Sequence, residues 1–212
     1  MRLADARWWM REISGRGRAE RLAAAQRDPW LRFDLEPPLR AFGPGANVEF
    51  SHYLGGVSRV TARTPVEIAG WLLHCRYADD PQLLDEADHW LHPTTFEVVR
   101  SGDCEDFALW AWRKMAEHTY DAEFVVGVRR LADGSTGRHA WVTYRHEREE
   151  FLFDGVERSM DRIIRPIEEV RAYYEPQVGV SSGGRRFVFA GLYRQAWGRR
   201  LRLRRSAPSL TG

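Results

Sequence analysis

The order in which helical and strand-like patterns follow one another constrains the fold of this 212-residue chain more than any other feature. From Asp103 to about His118, apolar residues recur at helical spacing and predict one helix with a buried face. Three segments typical of β-strands follow it, namely Glu123–Arg130, Ala140–Arg145 and Phe151–Asp154. Helices that precede an antiparallel set of strands predict an α+β domain, with the cysteine-containing helix packed on the sheet.

The flanking segments predict further helices and one more strand. Thr64-Pro65-Val66-Glu67 is typical of a capping box at a helix start, and it predicts a helix to about Arg76. Other predicted elements are a helix within 2–27, short helices from Asp80 and from Thr94 or Thr95, a helix over Pro166–Tyr174 and a strand over Arg186–Ala190. Pro and Gly residues interrupt 29–60, which predicts a long irregular connection. We therefore expect a basic N-terminal arm and connection over 1–60, a folded domain over 61–192 and an arginine-rich tail over 193–212.

Composition and charge exclude several classes of protein. Hydrophobic residues make up 43% of the chain and aromatic residues 12%, which excludes a wholly disordered or fibrous chain. The net charge is only +2, but residues 185–205 hold eight Arg and no acidic residue. This basic tail could contact an acidic partner. No signature of a nucleic-acid-binding or dinucleotide-binding fold is present, and no segment clearly indicates membrane binding.

The two cysteines, Cys75 and Cys104, bear on the compartment. Two cysteines cannot form a disulfide-dense scaffold, and they suit a reducing environment. The sequence has no run of 18 apolar residues, and its N-terminus lacks the apolar core of a secretory signal. These features predict a cytoplasmic protein.

The segment Ser101–Ala108 carries the chemistry. Its cysteine, Cys104, falls in the first turn of the predicted helix, where unpaired N–H groups and the helix dipole favour an anion. Such a position lowers the pKa of a cysteine and makes it a better nucleophile. The neighbouring carboxylates Glu105 and Asp106 oppose this effect, so we expect the thiolate to need a cationic partner.

Two residues of the predicted strands could complete a catalytic group. His139 opens one strand and Asp154 ends the next, and pairing of these strands as a hairpin would bring the two side chains together. A nucleophile, a base and an orienting carboxylate would then follow one another along the chain.

At these residues the chain resembles a known superfamily. Gly102-Asp103-Cys104-Glu105-Asp106-Phe107-Ala108, His139-Ala140-Trp141-Val142 and Phe151-Leu152-Phe153-Asp154 are together similar to the transglutaminase-like cysteine peptidases. The nearest match is the bacterial transglutaminase-like cysteine proteinase (LapG-like) family. The segment Asp88–Glu97, which leads into the cysteine motif, resembles the same family.

The resemblance spans roughly residues 76–155, and it implies a papain-like, transglutaminase-like α+β fold for the domain predicted over 61–192. It also implies that Cys104 is the nucleophile, His139 the general base and Asp154 its orienting partner. A protein with these residues would be a cysteine-dependent hydrolase, either a peptidase or an amidase, that acts on a protein or peptide through a thioacyl intermediate. The triad itself requires no cofactor. Members of the LapG-like family bind calcium through acids next to the cysteine, which correspond here to Asp103 and Glu105.

Several alternatives stay open. An amine acceptor in place of water would make the protein a transglutaminase, and a protein that keeps the fold without catalysis would be a binding module. Asp103 could simply cap its helix, and Asp154 could simply start a turn. A zinc site is a further alternative, although its possible ligands do not follow a zinc-binding spacing: His74, Cys75, His89, His92 and Cys104.

Overall fold

An antiparallel sheet of seven strands is the largest element in the computed structural model, which describes Trp8 and residues 18–79 and 88–194. Its strands are β1 (Arg32–Phe33), β4 (Asp121–Arg130), β5 (Thr136–His146), β6 (Glu149–Phe153), β7 (Ile164–Pro166), β8 (Tyr174–Ser181) and β9 (Arg186–Phe189). Their spatial order is β1-β9-β8-β4-β5-β6-β7, so the longest strands lie in the middle. Two short strands, β2 (Arg76–Tyr77) and β3 (Ser101–Gly102), pair with each other in parallel.

The helices that lie wholly within the described ranges differ greatly in length. They are α1 (Arg18–Arg27), α2 (Ser51–Leu54), α3 (Pro65–Leu72), α4 (Pro93–Val99), α5 (Cys104–Glu117), α6 (Met160–Ile163) and α7 (Ile167–Val170), with a 3-10 turn at Leu39–Ala41. The longest, α5, packs on β4 and β5. The predicted α+β fold, with the cysteine-containing helix on an antiparallel sheet, is therefore confirmed. No helix of the described ranges is long and apolar enough to cross a membrane.

The sheet has two buried faces because side chains alternate along each strand. On one face, Phe124, Val126 and Val142 join the main core with α5. On the other face, Val125 and Trp141 belong to a smaller core that includes residues of α7. Neighbouring residues of β4 and β5 therefore contact different cores on the two faces of the sheet.

The local predictions before α5 agree with the structure in part. Thr64 Oγ1 accepts a hydrogen bond from the Glu67 N–H at 3.2 Å, and Glu67 Oε2 accepts one from the Thr64 N–H at 3.1 Å. The predicted capping box is thus confirmed, but α3 ends at Leu72 because Arg76 already pairs with Ser101 in the short parallel sheet. The short helix predicted from Asp80 lies outside the described residues. Most of the segment 2–17 and nearly all of the arginine-rich tail over 193–212 also lie outside the described residues.

The prediction of one helix over Pro166–Tyr174 is wrong. Only Ile167–Val170 is helical there, and Tyr174 begins β8, a strand that the sequence patterns did not predict. Because β8 lies between β4 and β9, side chains on both of its faces are buried and the alternation typical of strands is lost. Pro176 also argues against a strand, because proline is rare inside sheets. In the structure it lies where the β4–β8 register shifts at a bulge.

Candidate active site

Cys104 is the first residue of α5, with Asp103 at the N-cap position. The half-buried Cys104 donates a hydrogen bond from Sγ to Glu105 Oε2 at 3.0 Å. Burial and the carboxylates of Glu105 and Asp103 raise the pKa of the Cys104 thiol well above its usual value, and the backbone N–H of Ala140 opposes this rise. Without a cation the neutral thiol is therefore the favoured form, in spite of the helix start.

Asp106 has a different role from the one expected from its position beside the cysteine. Its side chain is fully buried, where Oδ1 accepts the Leu91 N–H at 2.8 Å and Oδ2 accepts the Asp103 N–H at 3.3 Å. Asp106 thus holds the loop that enters α5. Among the carboxylates, Glu105 and Asp103 act most strongly on Cys104, so the expectation for Glu105 is confirmed.

The close approach of Gly102 to Asp106 leads to a prediction about stability. A Cβ atom on Gly102 would lie 2.2 Å from Asp106 Oδ2, so Gly102→Ala must displace that buried carboxylate. We expect a loss of about 1–3 kcal/mol in the free energy of unfolding, measured as a lower Tm. Gly70→Ala in α3 is the matched control, because its Cβ would have no neighbour within 4 Å. Equal melting temperatures for the two variants would contradict the prediction.

His139 and Asp154 are joined across the β5–β6 hairpin. Phe153 pairs with Val142, so Asp154 directly follows β6 and reaches diagonally to His139 on β5. His139 Nε2 lies 2.8 Å from Asp154 Oδ2, and both residues are buried. The predicted hairpin is present, although β5 begins at Thr136 and His139 lies inside the strand rather than at its start.

Two further side chains, which sequence reasoning missed, contact the same carboxylate oxygen. Arg129 Nη1 lies 3.0 Å from Asp154 Oδ2, and the Tyr174 hydroxyl donates to that oxygen at 2.7 Å. Burial alone would raise the pKa of Asp154, but His139 and Arg129 hold it below its usual value. The contact of Tyr174 could not be predicted, because the sequence pattern places this residue in a helix and not at the start of a strand. The contact of Arg129 could not be predicted either, because a strand pattern does not show which residue contacts a carboxylate 25 positions away.

Cys104 and His139 line one cavity of about 250 Å³, whose wall also includes Asp88, Trp90 and Arg138. Since Nε2 of His139 is engaged by Asp154, Nδ1 is the ring nitrogen left for the cysteine. Among the hydrogen bonds of the described residues, the Cys104 thiol bonds Glu105 and not His139. The structure thus places the three predicted site residues in one neighbourhood, with His139 and Asp154 in direct contact.

A cluster of acidic groups surrounds the cysteine. Oxygens of Asp103 and Glu105 and the Cys104 sulfur all lie within 4.8 Å of one another. Burial, with the nearby Asp88 carboxylate among the other causes, raises the pKa of Glu105. Asp88 Oδ1 is itself buried, and within the described part of the chain it has no hydrogen-bond partner. These oxygens are the type of ligand that calcium prefers.

The zinc hypothesis finds no support in the described residues. His92 instead caps α4, where Nδ1 accepts the Thr94 N–H at 3.2 Å and Nε2 lies 3.0 Å from the His52 carbonyl oxygen. Cys75 is buried and donates to the Trp71 carbonyl oxygen at 3.9 Å. Neither residue belongs to a group of possible metal ligands in the ranges that the structure describes.

Comparison with known proteins gives matches among solved structures. No protein-family model matches the chain, and no curated protein matches it significantly. Legionella pneumophila LapG is similar at 17% identity with a TM-score of 0.46, over 85% of this chain and 92% of LapG. Its calcium-bound form gives the same identity and TM-score, over 82% and 87% of the two chains. A Cytophaga hutchinsonii protein that is provisionally described as a cysteine protease is similar over 56% of this chain and 38% of its own, at 16% identity with a TM-score of 0.36. The similar structures thus include LapG itself, which gives its name to the family that the sequence motif resembles.

Proposed function

We propose that this chain is a cysteine-dependent hydrolase, a peptidase or an amidase, with Cys104 as nucleophile, His139 as general base and Asp154 as the orienting carboxylate. The observation that carries the proposal is the 2.8 Å contact between His139 Nε2 and Asp154 Oδ2. His139 also lines the cavity that holds Cys104 at the start of α5. A carboxylate that fixes one ring nitrogen leaves the other for proton transfer, as a nucleophile–base pair requires.

The proposed reaction follows from these positions. His139 takes the thiol proton, and the thiolate adds to the carbonyl carbon of a peptide or carboxamide. The C–N bond then breaks as the imidazolium gives its proton to the leaving amine, and a thioacyl group remains on Cys104. His139 next removes a proton from water, which attacks the thioacyl carbon. The C–S bond then breaks to release the acid, and the imidazolium returns its proton to the Cys104 sulfur. The Cys104 backbone N–H at the helix start could bind the oxyanion in both steps.

The acidic cluster beside Cys104 suits a divalent cation, and we propose Asp103 and Glu105 as calcium ligands. In this arrangement bound calcium would supply positive charge beside the sulfur. That charge would offset the repulsion of the thiolate by Asp103 and Glu105, which raises the pKa of Cys104. The chain's own contribution would be to hold these carboxylates close together.

One observation favours a second candidate, a binding module without catalysis. The Cys104 thiol donates to Glu105, and burial and acidic neighbours keep it protonated. A protein that uses the cavity only to hold a partner would need no reactive thiolate. The reactivity of Cys104 therefore separates the two candidates.

Alkylation of the two cysteines by iodoacetamide in the presence of calcium tests the proposal. We expect Cys104 to react faster than Cys75 near neutral pH, because His139 and the calcium charge would favour its thiolate, whereas burial raises the pKa of Cys75 to about 12. His139→Ala should slow the reaction of Cys104, whereas His146→Ala, at an exposed position at the end of β5, should not. Mass spectrometry of each cysteine gives the rates. Equal rates for Cys104 and Cys75, or no effect of His139→Ala, would favour the binding module.

A further inference from the structure

Three side chains converge on one oxygen of Asp154, and two of them come from neighbouring central strands. Arg129 on β4 and Tyr174 on β8 are register partners, so their side chains lie next to each other on the same face of the sheet. Both reach Asp154 Oδ2, at 3.0 Å and 2.7 Å, beside the 2.8 Å contact of His139. Asp154 is fully buried, so water does not compete for this oxygen.

Arg129 and Tyr174 are themselves held in place. The Arg129 guanidinium also bonds the buried carboxylate of Glu157, and Arg162 contacts Glu157 at 3.3 Å from the exposed side. The same guanidinium lies over the Tyr174 ring, 5.4 Å from its centroid. The Tyr174 ring packs against Trp141 with centroids 5.3 Å apart. Neither side chain can leave Asp154 without breaking a second contact.

We propose that Arg129 and Tyr174 are positioning residues, which hold Asp154 toward His139 and share its negative charge, so that they set how strongly His139 retains a proton. The inference rests on the roles proposed above for His139 and Asp154. Three donors on one oxygen fix the carboxylate in a single orientation, and its contact with Nε2 leaves Nδ1 of His139 for proton transfer. Sharing the charge also keeps Asp154 from over-stabilising the imidazolium, which suits a base that must release its proton to a leaving group.

The charges around His139 make the direction of the effect definite. On its own sheet it faces Asp154, with Arg129, Tyr174 and Glu157 behind that carboxylate. The other ionisable residues that line its cavity are not changed in any variant below; they are Tyr77, Asp88, Asp103, Cys104, Glu105 and Arg138. Loss of the Arg129 charge, or of the Tyr174 hydroxyl, leaves more negative charge for His139, so its protonated form gains stability.

Titration of His139 by NMR in the full chain tests this inference. We expect Arg129→Met to raise the pKa of His139 by about one unit or more, because a cation within a few ångströms has been removed. Tyr174→Phe should shift the pKa in the same direction by less, and Arg129→Lys should restore most of the wild-type value. The matched controls are Arg130→Met and Tyr173→Phe, which change the exposed neighbours of Arg129 and Tyr174 in the sequence. Both variants should leave the pKa of His139 unchanged. The His139→Ala spectrum identifies the resonance.

The outcomes separate positioning from simple structural support. If Arg129→Met and Tyr174→Phe lower the Tm but leave the pKa of His139 at its wild-type value, the inference is overturned. Should Arg129→Met fail to fold, Tyr174→Phe decides alone, since it keeps the ring that packs on Trp141. The titration does not depend on a reactive cysteine. An inert Cys104 with the expected shifts would therefore overturn the hydrolase and leave this inference standing, and a reactive Cys104 without shifts would do the reverse.

Discussion

Replacement of Asp154 by Asn is expected to lower turnover about 10⁴-fold, an effect of the size known for the same change in serine triads. The amide keeps the shape of the carboxylate, but its NH₂ group can donate to Nε2 and favour the wrong tautomer of His139. It also removes the negative charge that stabilises the imidazolium formed when Cys104 loses its proton. Turnover is measured with a peptide or amide substrate identified from products cleaved by the wild-type protein and not by Cys104→Ala.

The control for this prediction is Asp161→Asn, which changes an exposed acid on α6. That variant should keep wild-type turnover, and the reverse pattern would show that the third catalytic member has been misassigned.

Asp154→Asn should also change stability. The pKa of Asp154 is lowered in the folded state, so its ionisation stabilises the fold above about pH 4, the usual pKa of a free Asp. This contribution is lost as the pH falls through the folded-state pKa, and the variant should lack it at every pH.

Glu105→Gln is expected to accelerate alkylation of Cys104 about tenfold or more when calcium has been removed with a chelator. Glu105 accepts the thiol hydrogen bond and, with burial and Asp103, raises the pKa of Cys104. Each unit by which the pKa falls toward the pH multiplies the thiolate fraction by about ten. In the wild-type protein, calcium should accelerate the same reaction, because its positive charge would stabilise the Cys104 thiolate against the negative charges of Asp103 and Glu105. The variant should respond to calcium much less, since it has lost a proposed ligand.

Two comparisons make this prediction sharp. Glu149→Gln, at an exposed position on β6, should react and respond to calcium as the wild-type protein does. Asp103→Ser retains the ability to cap α5, because serine caps helices about as well as aspartate. If Asp103 only caps the helix, this variant keeps the wild-type calcium response. An alkylation rate that calcium and chelator leave unchanged in the wild-type protein would exclude the proposed cation site.

Sequence analysis succeeded where the determining interactions are local. The helix from Asp103 was predictable because capping, apolar spacing and turn residues act within a few positions of one another. The contact between His139 and Asp154 was predictable for a similar reason, since one hairpin with a turn after His146 joins their strands. The effect of the Glu105 carboxylate on Cys104 was also predictable, because the two residues are adjacent, whereas the contacts of Asp106 with Leu91 and Asp103 were not.

Tertiary structure alone decided the rest of the site. Strand β8 could not be predicted, because burial on both faces removes the alternation that marks a strand, and the position of Tyr174 could therefore not be predicted either. Arg129 and Tyr174 meet at Asp154 because β4 pairs with β8, a long-range pairing that no local pattern encodes. The sequence by itself determined the class of fold, the position of Cys104 at a helix start and the histidine–aspartate hairpin, all of which depend on neighbours along the chain. The packing of strands distant in sequence decided which side chains hold Asp154 and which groups surround the Cys104 thiol, because hydrogen bonds and charges act through space.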